Sequence, residues 1–153
     1  MAGAVVNTQT VVPRGAQDLI GSVAQGGKQV IKTSIAWTSD AAGAVSGNAT
    51  VLPSGTVVGV TFIPGAGGVQ PTDLYDVTFT DAAGINAFND GAGVSIGANL
   101  SNTVATEKIP FIGGAASTFV RAWLEGGSYT LVVAAAGNAK QGTVVIFQTL
   151  DVI

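Results

Sequence analysis

The sequence predicts an all-β protein: an antiparallel, jelly-roll-like β-sandwich of about eight strands, with an extended N-terminal arm. Segments rich in Val, Thr, Ile and aromatic residues alternate between apolar and polar positions with period two, the pattern of half-buried strands. Turn-forming residues separate them at intervals of roughly 8–12 residues, which is typical of sandwiches and small barrels. No helical period extends over a useful length. An immunoglobulin-like sandwich is the second choice.

The first part of the chain lacks this regular pattern. Residues 1–28 mix small residues, Val and Gly without a sustained period, are interrupted by Pro13, and end at Gly26-Gly27. We therefore predict an N-terminal arm over 1–28 and a β-sandwich domain over 29–153. The arm is either ordered only against a neighbouring molecule, with a short strand or helical turn around 16–24, or it is a frayed terminus.

The strand pattern recurs along the whole of the predicted domain. The segments that carry it are 29–38, 44–52, 56–63, 74–80, 107–113, 118–124, 128–135 and 142–150. In the first strand the predicted core face holds Ile31, Thr33, Ile35 and Trp37. In the third strand it holds Val58, Val60 and Phe62.

The segments between the strands predict how the strands connect. Turns over 39–43 and 53–55 lead from one strand to the next. Pro110 predicts that 107–113 is an edge or bulged strand, because proline cannot donate to a ladder. The sequence GNAKQG (137–142) predicts a hairpin between the last two strands.

The composition excludes several functions. Net charge is −3, and the six Lys and Arg residues are scattered singly, so no basic patch for nucleic acid exists. With no Cys and no His, disulfides, thiolate metal sites and the commonest general base are absent. No apolar run reaches the ~18 residues of a membrane helix. We expect no enzymatic activity, cofactor, metal, nucleic acid or membrane partner, and synthesis in the cytoplasm.

The charged fraction is 10%, against about 25% in ordinary soluble domains. Solubility normally depends on more surface charge. We therefore expect a partner, or copies of the chain itself, to cover much of the surface.

The acidic stretch DLYDVTFTDAAGINAFND (73–90) is the first candidate site. Asp73 and Asp81 fall at the two ends of one predicted strand, roughly 26 Å apart when extended, so they cannot share a metal ion unless the chain folds back. A turn explains the TDAAG segment better, with Asp81 accepting backbone N–H bonds and Gly84 supplying a positive φ.

The second candidate is the segment TFVRAWL (118–124). If Val120, Ala122 and Leu124 face the core, then Phe119, Arg121 and Trp123 share the outer face. Aromatic residues and Arg are enriched at interfaces, and local packing of Arg121 on the two rings is the alternative. The apolar residues of the arm are further candidate contacts: Val5, Val6, Val11 and Val12.

Four stretches together resemble small virion proteins of tailed bacteriophages. They are IAWTSDAAGAVSG, PTDLYDVTFTDAAGIN, GAGVSIGANLSNTVATEKIPFIGG and YTLVVAAAGNAKQGTVVIF. The resemblance implies a capsid decoration (cement) protein on the virion surface, a homotrimer that bridges and stabilises subunits of the major capsid protein. A head-fibre or tail component is an alternative. Another is a module that binds host glycan, for which Trp37, Tyr75 and Trp123 are the aromatic candidates.

Overall fold

The computed structural model describes residues 3–11, 29–90, 92–113 and 119–150. These residues form a single short 3-10 turn (Gly67–Val69) and a series of strands. In chain order the strands are β1 (Ala4–Val11), β2 (Gln29–Thr38), β3 (Val45–Leu52), β4 (Gly55–Pro64), β5 (Asp76–Thr80), β6 (Thr106–Lys108), β7 (Phe111–Gly113), β8 (Phe119–Arg121), β9 (Trp123–Leu124), β10 (Gly127–Ala134) and β11 (Gln141–Leu150).

Two antiparallel sheets enclose one core. The large sheet has the order β1-β2-β11-β4-β6, with β9 also paired to β4, and the small sheet has the order β3-β10-β5. Buried apolar side chains from both sheets form one cluster, in which Trp37 of β2 packs on Tyr75 next to β5 with ring centroids 5.7 Å apart. The all-β sandwich is confirmed. A jelly roll has eight strands in two Greek keys, and that finer description stays a prediction.

Successive long strands alternate between the two sheets. The chain passes from β2 in the large sheet to β3 in the small one, returns to β4, and crosses again to β5. The predicted hairpin over 137–142 is therefore wrong, because β10 pairs with β3 and β5 whereas β11 pairs with β2 and β4. Each strand buries one apolar face, and the crossover brings those faces together from opposite sheets.

The loop between β10 and β11, which crosses from the small sheet to the large one, is held by Ser39. The Ser39 hydroxyl donates to the carbonyl oxygen of Gly137 at 2.5 Å and accepts from the backbone N–H of Lys140 at 2.9 Å. The predicted turn at 39–43 and the loop at 137–142 thus meet at one end of the sandwich.

The predicted core face of β2 is confirmed at Thr33, Ile35 and Trp37, which are buried, and Ile31 near the start of the strand is half-buried. The prediction for β4 is correct at Val60 and Phe62 and wrong at Val58. Phe147 pairs with Gly59 and Gln148 with Val57, so Val58 is the extra residue of a β-bulge. The bulge reverses the alternation, burying Val57 fully and leaving Val58 half-buried.

The irregular region after β5 follows the free edge of that strand. The backbone N–H of Val77 donates to Gly97 at 2.8 Å, and isolated bridges pair Tyr75 with Leu100 and Thr80 with Asn86. Glycine is required at 97, because a Cβ there would lie 2.2 Å from the carbonyl oxygen of Val77. This segment satisfies backbone groups that an open edge would leave exposed.

Two predicted strands are divided. The segment 107–113 splits into β6 and β7 around Pro110, and β6 lies at the edge of the large sheet, as the proline indicated. The segment 118–124 splits at Ala122, so that β8 pairs with β7 while β9 pairs with β4.

Part of the predicted arm is an edge strand of the same chain. Ala4–Val11 pairs with β2 over eight positions, from Ala4 opposite Thr38 to Val11 opposite Ile31. Residues 1–2 and 12–28 of the predicted arm, which include Val12, lie outside the described residues. No helix within the described ranges is long and apolar enough to cross a membrane.

Candidate functional site

Three acidic residues build the same local turn. Asp40, Asp81 and Asp90 each begin a five-residue segment with glycine at the fourth position: DAAGA, DAAGI and DGAGV. In every copy the aspartate Oδ1 accepts the backbone N–H groups two and four residues later, at 2.8–3.1 Å. The glycines have φ between 80° and 90°, a conformation that costs residues with a Cβ about 1–2 kcal/mol.

The turn interpretation of Asp81 and Gly84 is confirmed by these hydrogen bonds. The other acids of the stretch also bind backbone, since Asp76 accepts from the N–H of Asn99 at 2.8 Å and Asp73 from that of Asn102 at 3.2 Å. Within the described part of the chain, no group of three or more acidic side chains is placed to hold a metal ion. The acidic stretch thus serves loop architecture.

A cavity of about 880 Å³ opens at one end of the sandwich. β5 ends and β10 begins at this end, because Thr80 is paired with Thr130. One wall is the loop 81–93, and the other is the segment 122–129 with the exposed side chain of Trp123. We call this cavity, between 81–93 and 122–129, the end groove.

The floor of the end groove is fixed by stacked aromatic rings. Tyr129 stacks on Phe79 with centroids 5.1 Å apart and planes 6° apart. Phe79 stacks on Phe88 at 5.0 Å and 12°, and Phe88 meets Phe62 of the large sheet edge to face. Such pairs contribute about 0.5–1.5 kcal/mol each beyond area burial, so the groove is built directly on the core.

Two carboxylates give the end groove a negative potential. Burial raises the pKa of the Tyr129 hydroxyl, and the nearby charges of Asp81 and Glu125 raise it further. The same hydroxyl donates to the backbone carbonyl oxygen of Glu125 at 2.9 Å, which works in the opposite direction. Both acids therefore act on the space above Tyr129.

The predicted interface residues whose side chains the structure describes, Val5, Val6 and Trp123, lie at two edges of the large sheet. Trp123 lies on β9 at the β4 side of the large sheet, whereas Val5 and Val6 lie on β1 at the opposite edge. The side chain of Val5 packs against the core, and that of Val6 is 66% exposed. The backbones of Phe119 and Arg121 lie in β8 and that of Val11 in β1, and their side chains are outside the described part of the structure.

The outer face of the large sheet is nearly uncharged. Three rows of side chains cross β1, β2, β11 and β4 on the side opposite the core: Val6–Ala36–Thr143–Ile63, Thr8–Ser34–Val145–Thr61 and Thr10–Lys32–Phe147–Gly59. Lys32 is the one charged residue among these positions, and Glu107 of β6, which pairs with Thr61, adds a carboxylate at the end of the second row. A hollow of about 270 Å³ lies beside the first row. We call these three rows the outer face.

Sequence reasoning missed the end groove because its walls are far apart in the chain. Of the three aromatic candidates for glycan binding, Trp37 and Tyr75 are buried in the core and Trp123 is accessible. The repeated D-x-x-G-x pattern was the one local signal, and it predicts the turn in the wall but not the cavity. In comparisons with protein families, curated proteins and solved structures, nothing matches this chain.

Proposed function

We propose that the chain is a virion structural protein of a tailed bacteriophage, most specifically a capsid decoration protein that bridges and stabilises major capsid subunits. The observation that carries the proposal is the outer face, where Val6, Ala36 and Ile63 are exposed and the four strands carry one charged side chain, Lys32. Contiguous uncharged surface with exposed apolar residues such as Val6 and Ile63 is typical of interaction sites.

The physical advantage of such a face lies in its low desolvation cost. Burying a charge that finds no partner is expensive, whereas hydroxyl and methyl groups lose little when an apposed β surface covers them. A standard interface buries ~1,600 Å², and the same contact repeated over a shell adds its stabilisation at every site. Closure into a homotrimer, the state that we propose, would further multiply weak contacts by avidity.

A head-fibre or tail component remains the alternative within the same class, since a β-sandwich with an uncharged face would serve there too. The outer face does not specify which virion surface it covers. An image that locates the chain on the shell, and not on a fibre or tail, distinguishes the two.

The proposal is tested with a matched pair of charge insertions. The side chain of Val6 on the outer face is 66% exposed, and that of Val104 in the loop before β6 is 62% exposed. An aspartate carboxylate would therefore be similarly hydrated at either position in the free chain. The wild type and Val104→Asp should be trimeric by light scattering and co-sediment with undecorated capsids of a tailed phage. Val6→Asp should be monomeric and stay in the supernatant, because each contact would bury an unpaired carboxylate.

Two results would contradict the proposal. One is a wild-type chain that is monomeric and does not bind the capsids. The other is equal capsid binding by Val6→Asp and Val104→Asp, which would remove the outer face from the contact. Circular dichroism confirms that both variants retain the β fold.

A further inference from the structure

The end groove combines an exposed indole ring with two carboxylates. The side chain of Trp123 is 49% exposed. Asp81 and Glu125 line the same cavity, and no Lys or Arg is among the described side chains of its lining. An accessible tryptophan in a cavity that also holds two carboxylates fits a ligand that uses the flat face of the ring.

The charge of the end groove restricts the chemistry of that ligand. Two carboxylates repel phosphate, sulfate and carboxylate groups, so an anionic ligand is disfavoured. The carboxylates accept hydrogen bonds, and Asn89 adds an amide close by. A ligand with hydroxyl donors on its edge and apolar C–H groups on its face meets both requirements.

We propose that the end groove binds a neutral oligosaccharide, with Trp123 as the stacking platform and Asp81 and Glu125 as hydrogen-bond acceptors. A sugar ring offers an apolar face to an indole and hydroxyl groups to carboxylates. The volume of about 880 Å³ falls within the ~300–1,000 Å³ of small-molecule sites. This inference uses no part of the outer face and is independent of the proposed structural role.

The Asp81 carboxylate and the backbone that carries Glu125 are held in place before a ligand arrives. Asp81 Oδ1 accepts hydrogen bonds from the N–H groups of Ala83 and Ile85, and these two bonds fix the orientation of the whole carboxylate. The backbone at Glu125 is held by the Tyr129 hydroxyl, and Tyr129 is itself fixed by its stack on Phe79. Such preorganisation lowers the entropy that binding must lose.

The test uses the contrast between the two tryptophans. Trp37 is buried and Trp123 is accessible, so acrylamide quenching of fluorescence reports on Trp123. The probes are neutral trisaccharides of glucose, galactose, mannose and N-acetylglucosamine, up to about 10 mM, which detects a Kd of about 1 mM. At least one should protect Trp123 from acrylamide, and calorimetry should give the same affinity.

The variants assign the binding to named side chains. Trp123→Ala should weaken binding about tenfold or more, whereas Trp123→Phe, which keeps an aromatic face, should retain part of it. Glu125→Gln should change affinity only a few-fold, because the amide oxygen still accepts a hydroxyl. Val104→Ala, an exposed position outside the groove, should bind as the wild type does.

Three outcomes overturn the inference. The first is that no trisaccharide protects Trp123. The second is that calorimetric affinity survives Trp123→Ala in a variant that remains folded. The third is that a lysine-rich peptide protects Trp123, is released by Glu125→Gln, and no trisaccharide binds, which would make the groove a site for cationic peptide.

Discussion

Glycine at position 142 is required by the packing of the large sheet, and its replacement by alanine tests that packing. Gly142 of β11 lies opposite Trp37 of β2, and the indole covers the glycine. A Cβ at 142 would lie 2.4 Å from Cζ2 and 2.7 Å from Cε2 of Trp37, and 3.0 Å from the carbonyl oxygen of Ile63. The ring cannot retreat freely, because it is buried and packs on Tyr75.

The expected cost follows from these distances. Inserting a methyl group into a packed core typically destabilises the fold by about 1–3 kcal/mol, and contacts this short place Gly142→Ala at the upper end of that range. Alanine also reduces the conformational entropy of the unfolded chain, which offsets about 0.4–1 kcal/mol of this loss. The net loss for Gly142→Ala is therefore about 2–3 kcal/mol, or about 4–12 °C in Tm for a domain of this size.

Gly59 on the neighbouring strand provides the matched control. A Cβ at 59 would meet only the carboxylate oxygen of Glu107, at 3.7 Å, at the end of a flexible side chain. Gly59→Ala should therefore be neutral or slightly stabilising. Urea unfolding followed by circular dichroism gives the midpoint and m-value for both variants.

Equal stability of the two variants would refute the placement of Trp37 over Gly142. A double-mutant cycle makes the test specific. Trp37→Phe removes the part of the ring that meets position 142, so the double variant should lose less than the sum of the single losses, by about 1 kcal/mol. Additive losses would locate the strain elsewhere.

Two further predictions test the bulge and the buried tyrosine. Because the bulge buries Val57, Val57→Ala should lower the free energy of unfolding by about 2 kcal/mol and Val58→Ala by about 1 kcal/mol or less, as measured by thermal unfolding. The reverse order would indicate regular alternation in β4 and contradict the bulge. Burial raises the pKa of the Tyr75 hydroxyl to about 12 from its ordinary 10.0. The folded state therefore holds that proton more tightly, and this contribution to stability is complete below pH 10 and lost between pH 10 and about 12. Urea unfolding at pH 9 and 11 should show a larger alkaline loss for the wild type than for Tyr75→Phe, and equal losses would contradict it.

The features that the sequence could predict are those set by neighbours in the chain. The alternation of Thr33, Ile35 and Trp37 in β2 needs no partner strand to be recognised. The turn at Asp81 depends on one carboxylate and one glycine within five residues, which is why its hydrogen bonds could be anticipated.

The features that escaped prediction depend on which strands pair. Alternation in β10 and β11 shows that each buries one face, but it does not show that they belong to different sheets. The extra residue at Val58 is visible only against the register of β11. In the same way, the end groove exists because Trp123 is carried to the edge of β4, far in sequence from Asp81.

The end groove and the Val6–Ala36–Thr143–Ile63 row of the outer face lie at opposite ends of β4, so both can be occupied at once. Trp123 of the end groove pairs with Thr56 near the start of this strand, whereas Ile63 lies near its end. Seven residues of strand separate these two positions by roughly 23 Å, although Gly59 of the third row is only three residues from Thr56. A partner seated on the Ile63 row therefore leaves the groove open, and oligomers disrupted by Val6→Asp should bind oligosaccharide as intact ones do. Loss of both activities in Val6→Asp would instead show that neighbouring copies complete the groove.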